Sequence, residues 1–241
     1  MAKRKNIKKQ IITSVQLQNI AIIFFIVMFI ISMWFYKPYF FEKNPKNLRF
    51  IGLYYLRNND YTNAVNAFKK AARINPTVMN RYYLGDSLIK LGRYDDGYRY
   101  LIEALDEEPK NRNIHLSIGD YYLANKKNEK ALEYYKNAFN LGPNSKVYLK
   151  LGIYYYEIHD TQLAYENLVR SMDLEPDNLE IYPYLAEVYT RKGLFISAFE
   201  SYEHYLNAKC AEGIPYSYLL SDEAEIIKDK MRELRDLAGE M

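Results

Sequence analysis

Residues 151–160 read LGIYYYEIHD, in which Glu157, His159 and Asp160 follow three consecutive tyrosines. Two carboxylates around an imidazole are the donor set of a metal site, or the partners of an acid–base pair. The other histidines are His115 and His204, and no two of the three stand three or four residues apart, as ligation from one helical face would need. The chain has no glycine-rich phosphate loop, no HExxH and no GxSxG. The acidic runs Asp95–Asp96 and Asp106 to Glu108 lack the glycine-bearing loop of alternating oxygen ligands that calcium needs. Cys210 is the only cysteine, which removes intrachain disulfides and cysteine-clustered zinc together. These residues therefore predict a non-enzyme with neither metal nor cofactor, and the Glu–His–Asp cluster needs another explanation.

Charge separates the chain into two parts. Residues 1–49 hold nine Lys or Arg against the single acid Glu42, whereas the remainder holds 24 basic and 29 acidic side chains. The net +3 thus belongs to the N-terminal segment, and an acidic body is a poor partner for nucleic acid. After the basic start MAKRKNIKKQ, the 27 residues from Gln10 to Tyr36 carry no charge. A helix over residues 17–36 would rise about 30 Å, the thickness of a bilayer's hydrocarbon core. Trp34, Phe35, Tyr36 and Tyr39 sit at its end, where amphipathic rings favour the headgroup interface. No A-x-A cleavage pattern follows, so the segment reads as an uncleaved single-pass anchor. Five positive charges precede the span and four follow it, which predicts a cytoplasmic N-terminus and an exported body.

The body repeats. Pro76, Pro109, Pro143 and Pro176 recur every 33 or 34 residues, each five residues after Ala71, Ala104, Ala138 or Ser171. Gly52, Gly85, Gly119 and Gly152 keep the same rhythm, each twelve residues before Ala64, Gly97, Ala131 or Ala164. A period near 34 marks a solenoid of two-helix units. In the first unit, helix A is expected over about Leu48–Arg57 and helix B over Tyr61–Arg73, with Asn58–Asp60 as the turn. The small residues let the two helices approach closely. Leu185–Ala186, Tyr189, Ala198 and Tyr202 make a weaker fifth copy, in which Tyr205 replaces the last small residue and predicts different packing. The tail carries Ala224, Ile227, Met231 and Leu234 at helical spacing, as a capping helix requires. The fold class is all-α, organised as a basic segment (1–16), a transmembrane anchor (17–36), a linker (37–46), a solenoid over 45–212, and a loop with a C-terminal capping helix (213–241). The solenoid divides at about 45–77, 78–111, 112–144, 145–178 and 179–212.

The pattern Ile51–Gly52, Tyr55, Tyr61, Ala64, Phe68, Ala71, Pro76 and its later copies resembles the tetratricopeptide repeat family. The resemblance implies a right-handed solenoid whose A helices line a groove that holds an extended or helical segment of a protein partner. Groove-facing places are Phe50, Leu53, Tyr83, Asp86, Asp120, Lys150, Ile153, Tyr156, Tyr184 and Glu187. Rings there would anchor a partner, while Asp86, Asp120 and Glu187 would favour a cationic segment. Chaperone-docking members of that family use a basic, amide-rich clamp. The matching places here hold Arg49, Leu53, Tyr83, Asn113 and Ser117, or one unit later Tyr82, Asp86, Ser117, Lys146 and Lys150, and neither set makes that clamp. The expected function is a membrane-anchored scaffold that binds partner proteins in a cell-envelope assembly or secretion system. The alternative is an accessory subunit of a membrane-bound enzyme complex.

Overall fold

Each proline-spaced segment of the body folds as a pair of helices joined by a three-residue turn. The computed structural model describes residues 44–211 and 222–239, all of its regular structure being helical. The helices are α1 (Pro45–Arg57), α2 (Tyr61–Ile74), α3 (Val78–Lys90), α4 (Tyr94–Glu107), α5 (Arg112–Ala124), α6 (Asn128–Asn140), α7 (Ser145–Glu157), α8 (Thr161–Leu174), α9 (Ile181–Arg191), α10 (Phe195–Ala211) and α11 (Asp222–Gly239). The basic segment, the predicted anchor at 17–36 and residues 37–43 of the linker lie outside the described residues, as does the whole loop before α11. Among the described residues no helix is long and apolar enough to cross a membrane.

The described residues form two compact units, divided between Leu84 and Gly85. In the first, α1 starts three residues before the expected Leu48. Asn44 accepts from the Lys46 N–H at 2.9 Å, and Pro45 occupies the first turn, where its missing N–H is no loss. Gly52 gives way to the ring of Phe68 on α2; a Cβ there would stand 2.5 Å from Phe68 Cζ. Asn80 donates to the Asn75 carbonyl at 2.8 Å and Arg81 to the Pro76 carbonyl at 2.6 Å, which fixes the turn into α3.

In the second unit the same contact recurs at Gly119 against Tyr135 and at Gly152 against Leu168. Helix α7 packs on its partner α8 and also touches α5 and α9, so the three A helices lie side by side. The core between them is Leu149, Ile153, Ala164, Leu168, Ile181, Leu185 and Val188. Ser171 stands where earlier copies have alanine, and the structure shows why. Its hydroxyl donates to the Ser145 carbonyl at 2.9 Å while the Ser145 hydroxyl donates back at 3.1 Å, so two buried hydroxyls satisfy each other across two helices.

One turn closes every hairpin. The N–H groups of Asp60, Arg93, Lys127, Asp160 and Leu194 donate to the carbonyls of Tyr55, Leu88, Tyr122, Tyr155 and Tyr189 at 2.8–2.9 Å. The residue before each donor is left-handed: Asn59, Gly92, Lys126, His159 and Gly193 have φ between 56° and 82°. This is a Schellman-type stop, for which glycine is the unstrained choice. His159 is therefore a turn residue, and Asp160 caps α8 by accepting from the Leu163 N–H at 3.0 Å. Glu157 ends α7 in solvent.

The fifth pair departs from the others as its sequence suggested. Helix α10 runs 17 residues, against 13 or 14 for the earlier B helices. Tyr205 is buried and donates to Glu223 at 2.8 Å. Ala224, Ile227 and Leu234 of α11 are buried against α9 and α10, with Met231 partly buried beside them, so α11 covers the end of this unit.

Candidate partner-binding face

Within residues 85–241 the A helices bring most of the predicted groove residues onto one face, and the carboxylates there are already engaged. Asp86 on α3 is buried. It accepts from the Ser117 hydroxyl on α5 at 2.5 Å and lies 3.7 Å from Lys90. Burial alone would raise its pKa; Lys90, Lys146, Ser117 and Lys150 outweigh that and hold it below the usual carboxylate value. Asp120 on α5 pairs with Lys150 on α7 at 2.9 Å and accepts from the Tyr135 hydroxyl at 2.7 Å. Glu187 on α9 accepts from the Tyr202 hydroxyl at 2.5 Å and pairs with Lys230 of α11. Burial opposes ionisation of Glu187, but these two donors win and its pKa is lowered. The expectation of an acidic face open to a cationic partner is thus corrected, because each acid has a built-in donor.

The two tyrosine–carboxylate pairs share a logic. Asp120 and Glu187 follow the small residue of helix A, and Tyr135 and Tyr202 stand fifteen positions later on helix B. A buried phenol needs an acceptor, and the A-helix carboxylate supplies it. Burial and the Asp120 charge drive the Tyr135 pKa well above its ordinary value. In the fourth copy the B-helix residue is Leu168, which needs no acceptor, and the A-helix partner is Ile153. Ile153 is 8% exposed inside the core, so it is a packing residue and not the groove residue expected from the sequence.

Lys150 is held strongly protonated. Burial would deprotonate it, but Asp120 at 2.9 Å and Glu180 at 3.9 Å raise its pKa instead. One turn earlier, Lys146 has no carboxylate within 4.0 Å among the described residues. Burial lowers its pKa, and Asp86 only partly offsets this.

Tyr156 and Tyr184 are half-buried, with ring centres 5.9 Å apart and edge to face. The Arg191 guanidinium covers the Tyr156 ring at 3.8 Å and donates to the Tyr156 carbonyl at 2.9 Å. Tyr156, Tyr184 and Glu187 join Pro183, Tyr202, Glu223, Ile226, Ile227 and Lys230 around a shallow cleft beside α11. Sequence reading did not find Arg191 or Lys230, whose roles depend on how neighbouring helices cross. The fifteen-residue tyrosine-to-acid spacing was visible in the sequence and would have flagged both pairs.

The remaining predicted residues belong to the first unit. Phe50 on α1 is 68% exposed and Leu53 is half-buried. Tyr83 is half-buried and stacks on Phe68, ring centres 5.2 Å apart, so part of its surface is spent on packing. Across the described residues no three His, Cys, Asp or Glu side chains gather as metal ligands.

A tandem array of helix hairpins is the class of protein that this fold defines. The family profile described as anaphase-promoting complex, cyclosome, subunit 3 matches residues 33–104, and the tetratricopeptide repeat profile matches residues 82–145. These matches support the tetratricopeptide repeat resemblance. Anaphase-promoting complex subunit 3 of Schizosaccharomyces pombe is 28% identical over 134 residues, 55% of this chain and 20% of that protein. The UDP-N-acetylglucosamine–peptide N-acetylglucosaminyltransferase of Giardia intestinalis is 36% identical over 63 residues, 26% of this chain and 4% of that enzyme. The chain thus spans a fifth or less of either relative. A thermophilic repeat protein of Thermus thermophilus superposes with a TM-score of 0.65 at 20% identity, covering 79% of this chain and 98% of that one, a likeness of fold.

Proposed function

We propose that the protein is a non-enzymatic scaffold, anchored in a membrane by residues 17–36, that holds a segment of a partner protein against its A-helix face. The carrying observation is the cleft flanked by half-exposed Tyr156 and Tyr184, whose charged neighbours already have partners. The cleft offers aromatic area with little entropy to lose, and the charged side chains lining it, Glu187, Glu223 and Lys230, are already engaged. One relative is by name a subunit of a complex, which favours an assembly role over catalysis. Anchoring confines the face to the membrane surface and raises its effective concentration for membrane-bound partners. The body faces the exported side, where it serves a cell-envelope assembly or secretion system.

The test is photo-crosslinking in intact membranes from a photoreactive residue replacing Tyr156 or Tyr184. A discrete adduct from both positions, absent from a replacement at exposed Glu166 on α8, is expected. Adducts of equal yield from all three positions would overturn the assignment. Protease added from the cytoplasmic side should leave the body intact; digestion from that side refutes the exported placement.

A further inference from the structure

The first helix has one face turned from the core that no described element covers. Buried Leu48 and Gly52 mark its inward side. On the opposite side Phe50 is 68% and Tyr54 66% exposed, with half-buried Leu53 beside them. At 100° per residue these three span about one quarter of the helix circumference, and exposed Lys46 and Arg57 lie within the same arc. Arg49 borders it, and no acidic residue occurs between Asn44 and Asn59. Aromatic and aliphatic side chains in one stripe, set among cations and free of acids, match an anionic lipid–water interface and not a purely apolar protein groove.

Chain length points the same way. Only seven residues, 37–43, separate Tyr36 from the N-cap Asn44. Fully extended they reach about 25 Å, so a chain anchored by residues 17–36 must carry α1 close to the headgroups. Those residues include Tyr39, Phe40 and Phe41 as well as Lys37 and Lys43, the same mixture of rings and cations. We infer that the Phe50–Leu53–Tyr54 face of α1 lies on the surface of an anionic bilayer, orienting the first hairpin against the membrane. The inference rests on the anchor reading above, and it takes Phe50 and Leu53 away from the partner groove in which sequence reading placed them. Tethering makes even a weak interfacial preference sufficient, because the helix never leaves the surface by more than the linker allows.

The experiment uses the full chain with Cys210→Ser, reconstituted in phosphatidylcholine vesicles containing about 30% phosphatidylglycerol. A fluorophore is attached at Phe50→Cys, at Tyr54→Cys, or at Asn66→Cys, an exposed control on α2. Headgroup-level nitroxide lipid should quench the first two at least about threefold more than the control, with aqueous iodide showing the reverse order. Changing Lys46, Arg49 and Arg57 to Gln should at least halve that lipid preference. Equal quenching at positions 54 and 66 in chains that co-float with vesicles overturns the inference and leaves the anchor intact. Labels at 50 and 54 shielded from both quenchers also overturn it, since the face is then covered by protein: the N-terminal segment, a second copy or a partner. Chains that wash off the vesicles in carbonate overturn the anchor reading, and the inference with it.

Discussion

Replacing Asp120 tests whether the A-helix face is wired as described. Its carboxylate serves two clients, the Lys150 ammonium at 2.9 Å and the Tyr135 hydroxyl at 2.7 Å. Asp120→Ala leaves a fully buried phenol without an acceptor and a lysine, 14% exposed, without its main counter-charge. Removing one member of a buried pair costs about 3–5 kcal/mol. Asp120 itself is 20% exposed and Glu180 remains 3.9 Å from Lys150, so the lower end, about 3 kcal/mol, is expected. Tyr135→Phe is a milder change because it deletes the donor instead of stranding it, and should cost about 1 kcal/mol. Asp120→Leu combined with Lys150→Met removes both charges and should recover the part of the loss due to the stranded lysine, leaving that of the Tyr135 phenol. Urea midpoints by circular dichroism on the full chain in detergent give the order, and amide exchange in α5–α7 shows where the opening occurs. If Asp120→Ala costs no more than Tyr135→Phe, the pair is not desolvated and the reasoning is wrong.

Three further outcomes follow from other contacts. Nine tyrosines (Tyr98, Tyr121, Tyr134, Tyr135, Tyr154, Tyr182, Tyr184, Tyr189 and Tyr202) have pKa values raised first by burial, Tyr98 to about 12. The folded state then keeps phenol protons that the unfolded chain loses above pH 10, so this stability is complete below pH 10 and lost on further alkalinisation. The thermal midpoint should fall steeply between about pH 10 and 11.5, and a flat profile there contradicts the burial described. Gly52→Ala drives a methyl into the Phe68 ring; an overpacking cost of about 1–3 kcal/mol should exceed the helix propensity gained, giving a lower melting temperature. Ser171→Ala removes the donor to the Ser145 carbonyl and should cost about 1 kcal/mol, whereas the same change at exposed Thr62 should be nearly neutral in calorimetry.

Periodic features were readable because they are local. Gly52, Gly119 and Gly152 predicted close helix approach, and each faces a large B-helix side chain. His159 and Asp160 fell in the turn that the register demanded, where one supplies a left-handed backbone and the other a cap. Side-chain direction was less accessible. Ile153 sits one position after Gly152, as Asp120 does after Gly119, yet one is core and the other is half-exposed. The difference comes from the residue opposite, Leu168 or Tyr135, which either closes over an apolar neighbour or demands an acceptor. Pairs between repeats, such as Ser117 with Asp86, depend on how successive hairpins stack, and no single-repeat pattern encodes that.

The polar contacts differ in what a gene duplication would do to them. Tyr135–Asp120 and Tyr202–Glu187 each lie within one copy, fifteen residues apart, so a duplicated or transplanted repeat would carry donor and acceptor together. Ser117–Asp86 and Lys150–Asp120 straddle the joints between copies. A new copy inserted at either joint would arrive with its interior complete and its seams mismatched. Lengthening this array by recombination is therefore limited by its junctions, and the joint-spanning residues are the ones that later substitutions would have to retune.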